Sequence, residues 1–192
     1  MREADLFREN RSRYRIAEPL ITFYHAVMRP VWDQLERPGY AARVWPAAQR
    51  RFASNVLGPR FKQICREWAR FYADDQTLGG LPARVGSGMI ADPAGRTNHE
   101  IDVAVIGAAD AGQPAVLAIG EAKWGEVMGL GHLRRLQRAR SVLAERSRYD
   151  TSTTRLVCFG GAGFTSELRD AANAGAVTLI GLDRLYGSVG PI

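Results

Sequence analysis

Residues 100–124, EIDVAVIGAADAGQPAVLAIGEAKW, decide the fold. Two runs rich in Val, Ile and Ala, at 100–107 and 115–124, flank a loop carrying Gly112 and Pro114. That pattern predicts two consecutive strands joined as an antiparallel hairpin. The second run ends in Glu121 and Lys123, which a side-chain period of two places on one face. Pairing through the 108–114 loop sets Asp102, at the start of the first strand, beside Glu121 and Lys123 at the end of the second. Two carboxylates on adjacent strands make an oxygen-ligand site for Mg²⁺ or Mn²⁺. The neighbouring ammonium can orient an attacking water or offset charge developing on a phosphate. Lysine is a rare choice in this chain: of 26 basic residues only Lys62 and Lys123 are lysines. The competing reading is a same-face ion pair of Glu121 with Lys123, which contributes under about 1 kcal/mol when exposed.

Outward from the hairpin, 83–91 reads as a further strand and 92–98, DPAGRTN, as a turn-rich loop. After the motif, Leu130, Leu133, Leu136, Val142 and Leu143 mark a helix whose other positions are largely arginine. Residues 154–161 form a strand, 165–175 a helix with Thr165 or Ser166 as N-cap and Gly175 as C-cap, and 176–182 a last strand. Before the first strand, Phe61, Ile64, Cys65, Trp68 and Phe71 give an amphipathic helix with Pro59 near its first turn. Residues 18–31 and 40–55 are helical in pattern, with Pro30 ending or kinking the first. We therefore expect two regions: a helical N-terminal extension over 1–57 and an α/β domain over 58–192 with a mixed sheet flanked by helices.

The net charge of +6 is unevenly spread. Residues 1–70 carry 14 basic and 7 acidic groups, whereas 71–124 carry 3 and 7. An acidic middle between arginine-rich flanks suits a metal-collecting centre with polyanion-binding edges, and nucleic acid is the expected partner. Arg134, Arg135 and Arg138, with Arg140, Arg146 and Arg148 beyond, lie on the helix after the motif, where a phosphate-tracking role is reasonable for those that face a cleft. Solvated surface is the alternative for each arginine singly. Cys65 and Cys158 form no CxxC pair and read as core residues of a reducing compartment. No run approaches the length of a membrane span, and the charged N-terminus shows no secretory signal, so a cytoplasmic protein without a membrane partner is expected. Trp124 reads as a packing or rim residue, His99 and His132 as isolated side chains and His25 as part of an amphipathic helix, none of them an expected ligand.

An acid followed on the next strand by Glu-x-Lys, within the order helix, three strands, helix, strand, resembles the PD-(D/E)xK nuclease-like superfamily. Asp102 matches its first acid, and Glu121 with Lys123 its (D/E)xK. The resemblance implies a restriction-endonuclease-like sheet and a metal-dependent phosphodiesterase. In it Asp102 and Glu121 hold Mg²⁺ or Mn²⁺ and Lys123 assists the water. A resemblance covering nearly the whole chain rests on YRIAEPLITFYH, LGPRFKQICREW, HEIDVAVI, IGEAKW and FGGAGFTSELRDAANAGAVTLIGL. These segments look like the C-terminal domain of archaeal-type AAA ATPases, a domain of unknown function. The implied partner is an AAA ATPase, or an upstream ATPase module that this chain does not carry, since no GxxxxGK[ST] is present. One position departs from that family, whose helix corresponding to 59–73 often carries Phe-Glu where this chain has Phe61 and Lys62. A lysine there removes a possible ligand and adds opposing charge; Glu67 and Glu100 are the acids that could compensate. The alternative function is a non-catalytic module of the same fold that binds nucleic acid or protein.

Overall fold

The computed structural model describes residues 2–8, 12–14, 16–108, 112–145 and 148–187. Two short strands, β1 (Arg2–Ala4) and β2 (Ser12–Tyr14), pair antiparallel. A helical layer follows: α1 (Pro19–Phe23) runs through a π-helical turn at Tyr24–Met28 and a 3₁₀ turn at Arg29–Val31 into α2 (Trp32–Leu35). The irregular turns fall where Pro30 withholds a backbone N–H, as its ring chemistry requires. Next come α3 (Ala41–Phe52), α4 (Gly58–Phe71) and the one-turn α5 (Asp75–Leu78). The rest alternates as β3 (Pro82–Asp92), β4 (Thr97–Gly107), β5 (Val116–Lys123), α6 (Leu130–Ala144), β6 (Arg155–Gly160), α7 (Ser166–Asn173), β7 (Thr178–Ile180) and α8 (Leu182–Tyr186).

The five strands β3 to β7 form one mixed sheet in chain order. β3, β4 and β5 make an antiparallel meander, and β5, β6 and β7 run parallel with α6 and α7 as crossovers. Parallel neighbours need such helical crossovers, and both faces of the sheet are accordingly covered. One core joins Ile101, Ala104, Ile119 and Cys158 to Leu133, Leu136 and Ala139 of α6. The other joins Val103, Val105, Ala118, Ala122 and Phe159 to Phe61, Cys65 and Trp68 of α4. The sheet is thus a layer between α4 and α6. No helix of the described residues is long and apolar enough to cross a membrane.

Three features depart from the sequence reading. The extended piece read before the first helix is one half of a strand pair, Arg2–Ala4 with Ser12–Tyr14, whose other half was not foreseen. Leu6 and Phe7, grouped above with the N-terminal extension, are buried in the α6-side core: Leu6 N–H bonds Ser87 C=O at 3.0 Å, and Phe7 meets the Tyr149 ring edge-on. Apolar burial outweighs their position near the chain start, because Gly86 and Gly88 of β3 carry no side chain where Leu6 and Phe7 pack. The helices α5 and α8 were not foreseen, being too short for a periodic signal. Arg146 of the expected stripe lies outside the described residues, as does part of the 108–114 loop.

Candidate functional site

The site is built at the place where β4 leaves β5. The ladder between them ends at Val103 paired with Gly120, while residues 121–123 continue to pair with β6. The Ala122 N–H therefore has no strand partner on the β4 side, and Asp102 Oδ2 accepts it at 2.9 Å. A buried amide left unpaired would cost roughly a hydrogen bond or more, so this carboxylate closes the fork.

The local backbone decides where Asp102 points. In β4, Ala104 pairs with Gly86 but Ile101 pairs with Gly88, so two residues of β4, Asp102 and Val103, stand against one of β3. Such a bulge breaks the period-two alternation. Ile101 and Ala104 both pack on α6, and Asp102 turns to the α4 side instead. There Lys62 Nζ lies 2.6 Å from Asp102 Oδ1 and 3.5 Å from Glu100 Oε1. Arg66 of α4 adds a hydrogen bond of 3.0 Å to the Asp102 carbonyl. Burial acts against charge on Lys62, but Asp102 and Glu100 outweigh it and hold the ammonium above its ordinary pKa. Burial pushes the Asp102 carboxyl up, against the pull of Lys62 and the Ala122 N–H.

Glu121 and Lys123 lie on the opposite face of the sheet, as alternation from Ile119 requires. Arg135 Nη2 of α6 donates to Glu121 Oε1 at 2.9 Å, and Lys123 Nζ is 3.3 Å from the same oxygen. Hydrogen bonding to Glu121 raises the Arg135 pKa. Asp102 and Glu121, expected to converge on a single ion, are neighbours along the strands, with Asp102 paired to Lys62 and Glu121 to Arg135 and Lys123. Among the described residues no three His, Cys, Asp or Glu side chains are grouped so as to hold a metal ion.

The other expected residues separate as well. Glu67 accepts from Gln63 Nε2 at 2.7 Å and sits 3.8 Å from Arg60, so it does not replace an acid beside Asp102. Arg138 reaches from α6 to Asp92 at the end of β3, with Nε and Nη2 bonds of 2.7 and 2.8 Å. Arg134 is exposed, with no carboxylate partner among the described residues. Trp124 packs against Phe61 with ring centroids 5.5 Å apart, a rim contact as the sequence suggested.

Sequence reasoning missed the Asp92 cluster. Asp92 is almost fully buried; it binds the Arg138 guanidinium with two oxygens, accepts the Gly95 N–H at 2.9 Å and lies 3.2 Å from His99 Nε2. It pins the β3–β4 turn to α6. The available signal was the Asp-Pro-Ala-Gly run, in which an Asp side chain bonds the backbone of its own turn. Comparison with known protein families, curated proteins and solved structures gives no match to the chain.

Proposed function

We propose that this chain is a nuclease-like module of the PD-(D/E)xK kind that holds nucleic-acid backbone without cutting it, in the service of an AAA ATPase. One observation carries the reading: each motif carboxylate is already compensated by a cation from its own flanking helix, Asp102 by Lys62 and Glu121 by Arg135. Mg²⁺ and Mn²⁺ bind carboxylates that are free to turn toward them. The donor set as it stands does not fit such an ion, because Lys62 would have to leave Asp102, and Glu121 faces the other helix. Binding to polyanion needs only cations, and these are in surplus. Arg29, Arg37, Arg43, Arg50, Arg96 and Arg134 are exposed and have no carboxylate partner among the described residues. Such arginines supply the salt-dependent contact to phosphates.

A second reading, docking onto the ATPase itself, is favoured by the helical layer. Leu20, Ile21, Tyr24 and Trp32, 70%, 48%, 38% and 41% exposed, give this layer several solvent-facing apolar side chains.

Calorimetric titration of Mg²⁺ and Mn²⁺ tests the proposal, together with anisotropy and cleavage assays on labelled DNA and RNA at low and moderate salt. The expected result is salt-sensitive binding with no cleavage and no ion uptake at millimolar concentration. Metal-dependent cleavage that Lys123→Ala abolishes would restore the catalytic reading.

A further inference from the structure

The far end of the sheet carries a second set of arginines that the motif does not involve. Arg155 opens β6 and pairs with Ala118, whereas Lys123 pairs with Gly160 at the other end. Five residues of strand, about 17 Å at ~3.3 Å per residue, separate the two ends. A cavity of about 500 Å³ opens there, lined by Asp74, Gln76, Thr77, Arg155, Thr178 and Arg184. A second cavity of about 460 Å³ shares Thr178 and Arg184 and adds Arg169 and Asn173. They share a wall at Thr178 and Arg184 and together make an open, shallow channel across the start of β7.

Arg184 is the fixed element of this channel. Its Nη2 donates to Thr77 Oγ1 and lies 3.6 Å from Asp74 Oδ2, and its guanidinium stands 5.9 Å from the centre of the Trp68 ring. Asp74, the one carboxylate in the lining, also accepts Thr77 N–H at 2.5 Å and Thr77 Oγ1–H at 2.9 Å. Its charge is therefore spent on α5 and Arg184. Arg155 has no carboxylate partner among the described residues, and its stem lies along Gly79. Gly79 has a φ of +89°, and a Cβ there would stand 3.1 Å from Arg155 Nε, so glycine at this turn lets the arginine lie flat into the cavity. Among the described residues Arg169 donates to the Phe164 carbonyl, at 3.3 Å, stands 5.7 Å from the centre of the Phe164 ring and has no carboxylate partner. Two uncommitted guanidinium groups, one pre-oriented one, and the Thr178, Asn173 and Gln76 side chains make a polar channel with a net positive lining.

We infer that this channel is a phosphate-binding site for consecutive phosphodiester groups of a nucleic-acid strand, so that the backbone is held at the amino-terminal ends of β6 and β7 and not at the motif. Planar guanidinium groups match phosphate oxygens two at a time, and hydroxyl and amide side chains complete such contacts. The inference rests on the nucleic-acid reading above and adds the place of contact.

The test is fluorescence anisotropy with a labelled oligothymidylate and a labelled duplex of equal length, each over a salt series. The proteins are wild type, Arg155→Ala/Arg169→Ala, Arg155→Glu and Arg60→Ala, with equal melting temperatures required of all four. The expected result for the double variant is binding at least tenfold weaker, with a salt slope shallower by about one to two counterions. Arg155→Glu should weaken binding further, and Arg60→Ala, at an arginine paired with Glu67, should leave it near wild type. Unchanged affinity and slope in both Arg155 variants would overturn the channel while leaving the nucleic-acid reading intact. No binding by wild type at low salt would overturn both. Preference for the oligothymidylate or for the duplex identifies which form of backbone the channel takes.

Discussion

Lys62 Nζ stands 2.6 Å from Asp102 Oδ1 while the other oxygen of that carboxylate holds the Ala122 N–H. One side chain thus ties α4, β4 and β5 together, and its charge is balanced from within the fold. Removing the ammonium leaves a carboxylate that is 4% exposed without its counter-charge. Lys62→Met is expected to destabilise the protein by about 2–3 kcal/mol, at or below the low end for broken buried pairs because Lys62 is itself partly exposed. Asp102→Asn added to Lys62→Met should recover part of the loss, since the amide no longer carries a buried charge. Urea unfolding of wild type, both single variants and the double variant reads the coupling. A double variant no more stable than Lys62→Met would mean that the pair is incidental.

Acid should loosen the β3–β4 turn through Asp92. The Arg138 guanidinium, followed by the Gly95 N–H, holds the Asp92 carboxyl well below the usual carboxylate range. A depressed native pKa contributes stability that is complete above the unfolded value, near 4, and is lost as pH falls below it. Stability measured by thermal melts from pH 6 down to about pH 2.5 should fall, and Asp92→Asn should flatten that dependence. Asp102, displaced upward by burial, acts in the opposite sense, so the comparison is made against Asp92→Asn and not against a pH-independent baseline. Parallel curves for wild type and variant would remove Asp92 from the account.

Gly88 and Phe7 should behave as one unit. A Cβ on Gly88 would stand 2.4 Å from Phe7 Cδ2, so Gly88→Ala forces the ring out of its place beside Tyr149. A cost of about 1–3 kcal/mol is expected, in line with overpacking elsewhere. In a Phe7→Ala background the same substitution should cost close to nothing. Additive losses in that cycle would show that residue 88 acts through its backbone and not through the ring.

Both cysteines should be silent toward thiol reagents in the native state. Burial, with Asp102 adding to it, pushes the Cys65 thiol up, and burial with Glu121 nearby pushes Cys158 up to about 12. Only the thiolate reacts, so an aromatic disulfide reagent should detect neither cysteine until denaturant is added and both thereafter. Rapid modification of one native thiol would disprove the packing drawn around it.

Much of the scaffold was readable from residues 100–124 and their surroundings, because branched apolar runs of strand length, an arginine-filled helix with Leu at 130, 133 and 136, and Thr165 as N-cap are local signals. Asp102 also fell beside the end of β5, as hairpin pairing required. Its facing was not readable: an extra residue in one strand of β4 shifts the alternation phase, and nothing in EIDVAV announces it. The cations that neutralise Glu121 and Asp92 come from 14 and 46 residues away, Arg135 and Arg138 respectively. Charge counts by segment cannot show such choices of partner. The docking of Leu6 and Phe7 was hidden for the same reason, since its partners, Ser87 and Tyr149, are distant in the chain.

That docking bears on how the molecule behaves among its own copies. β3 is one border of the sheet, and an open border offers unpaired amides and carbonyls to any passing strand. Asp5 bridges to Ser87 in parallel, Leu6 takes the Ser87 carbonyl, and Asp5 Oδ1 accepts the Met89 N–H at 3.2 Å. The opposite border, β7, is only three residues long. Residues 5–7 therefore interrupt the long border at its middle, and the other is too brief to template a neighbour, so loss of the Leu6–Phe7 plug would register as self-association before it registered as unfolding.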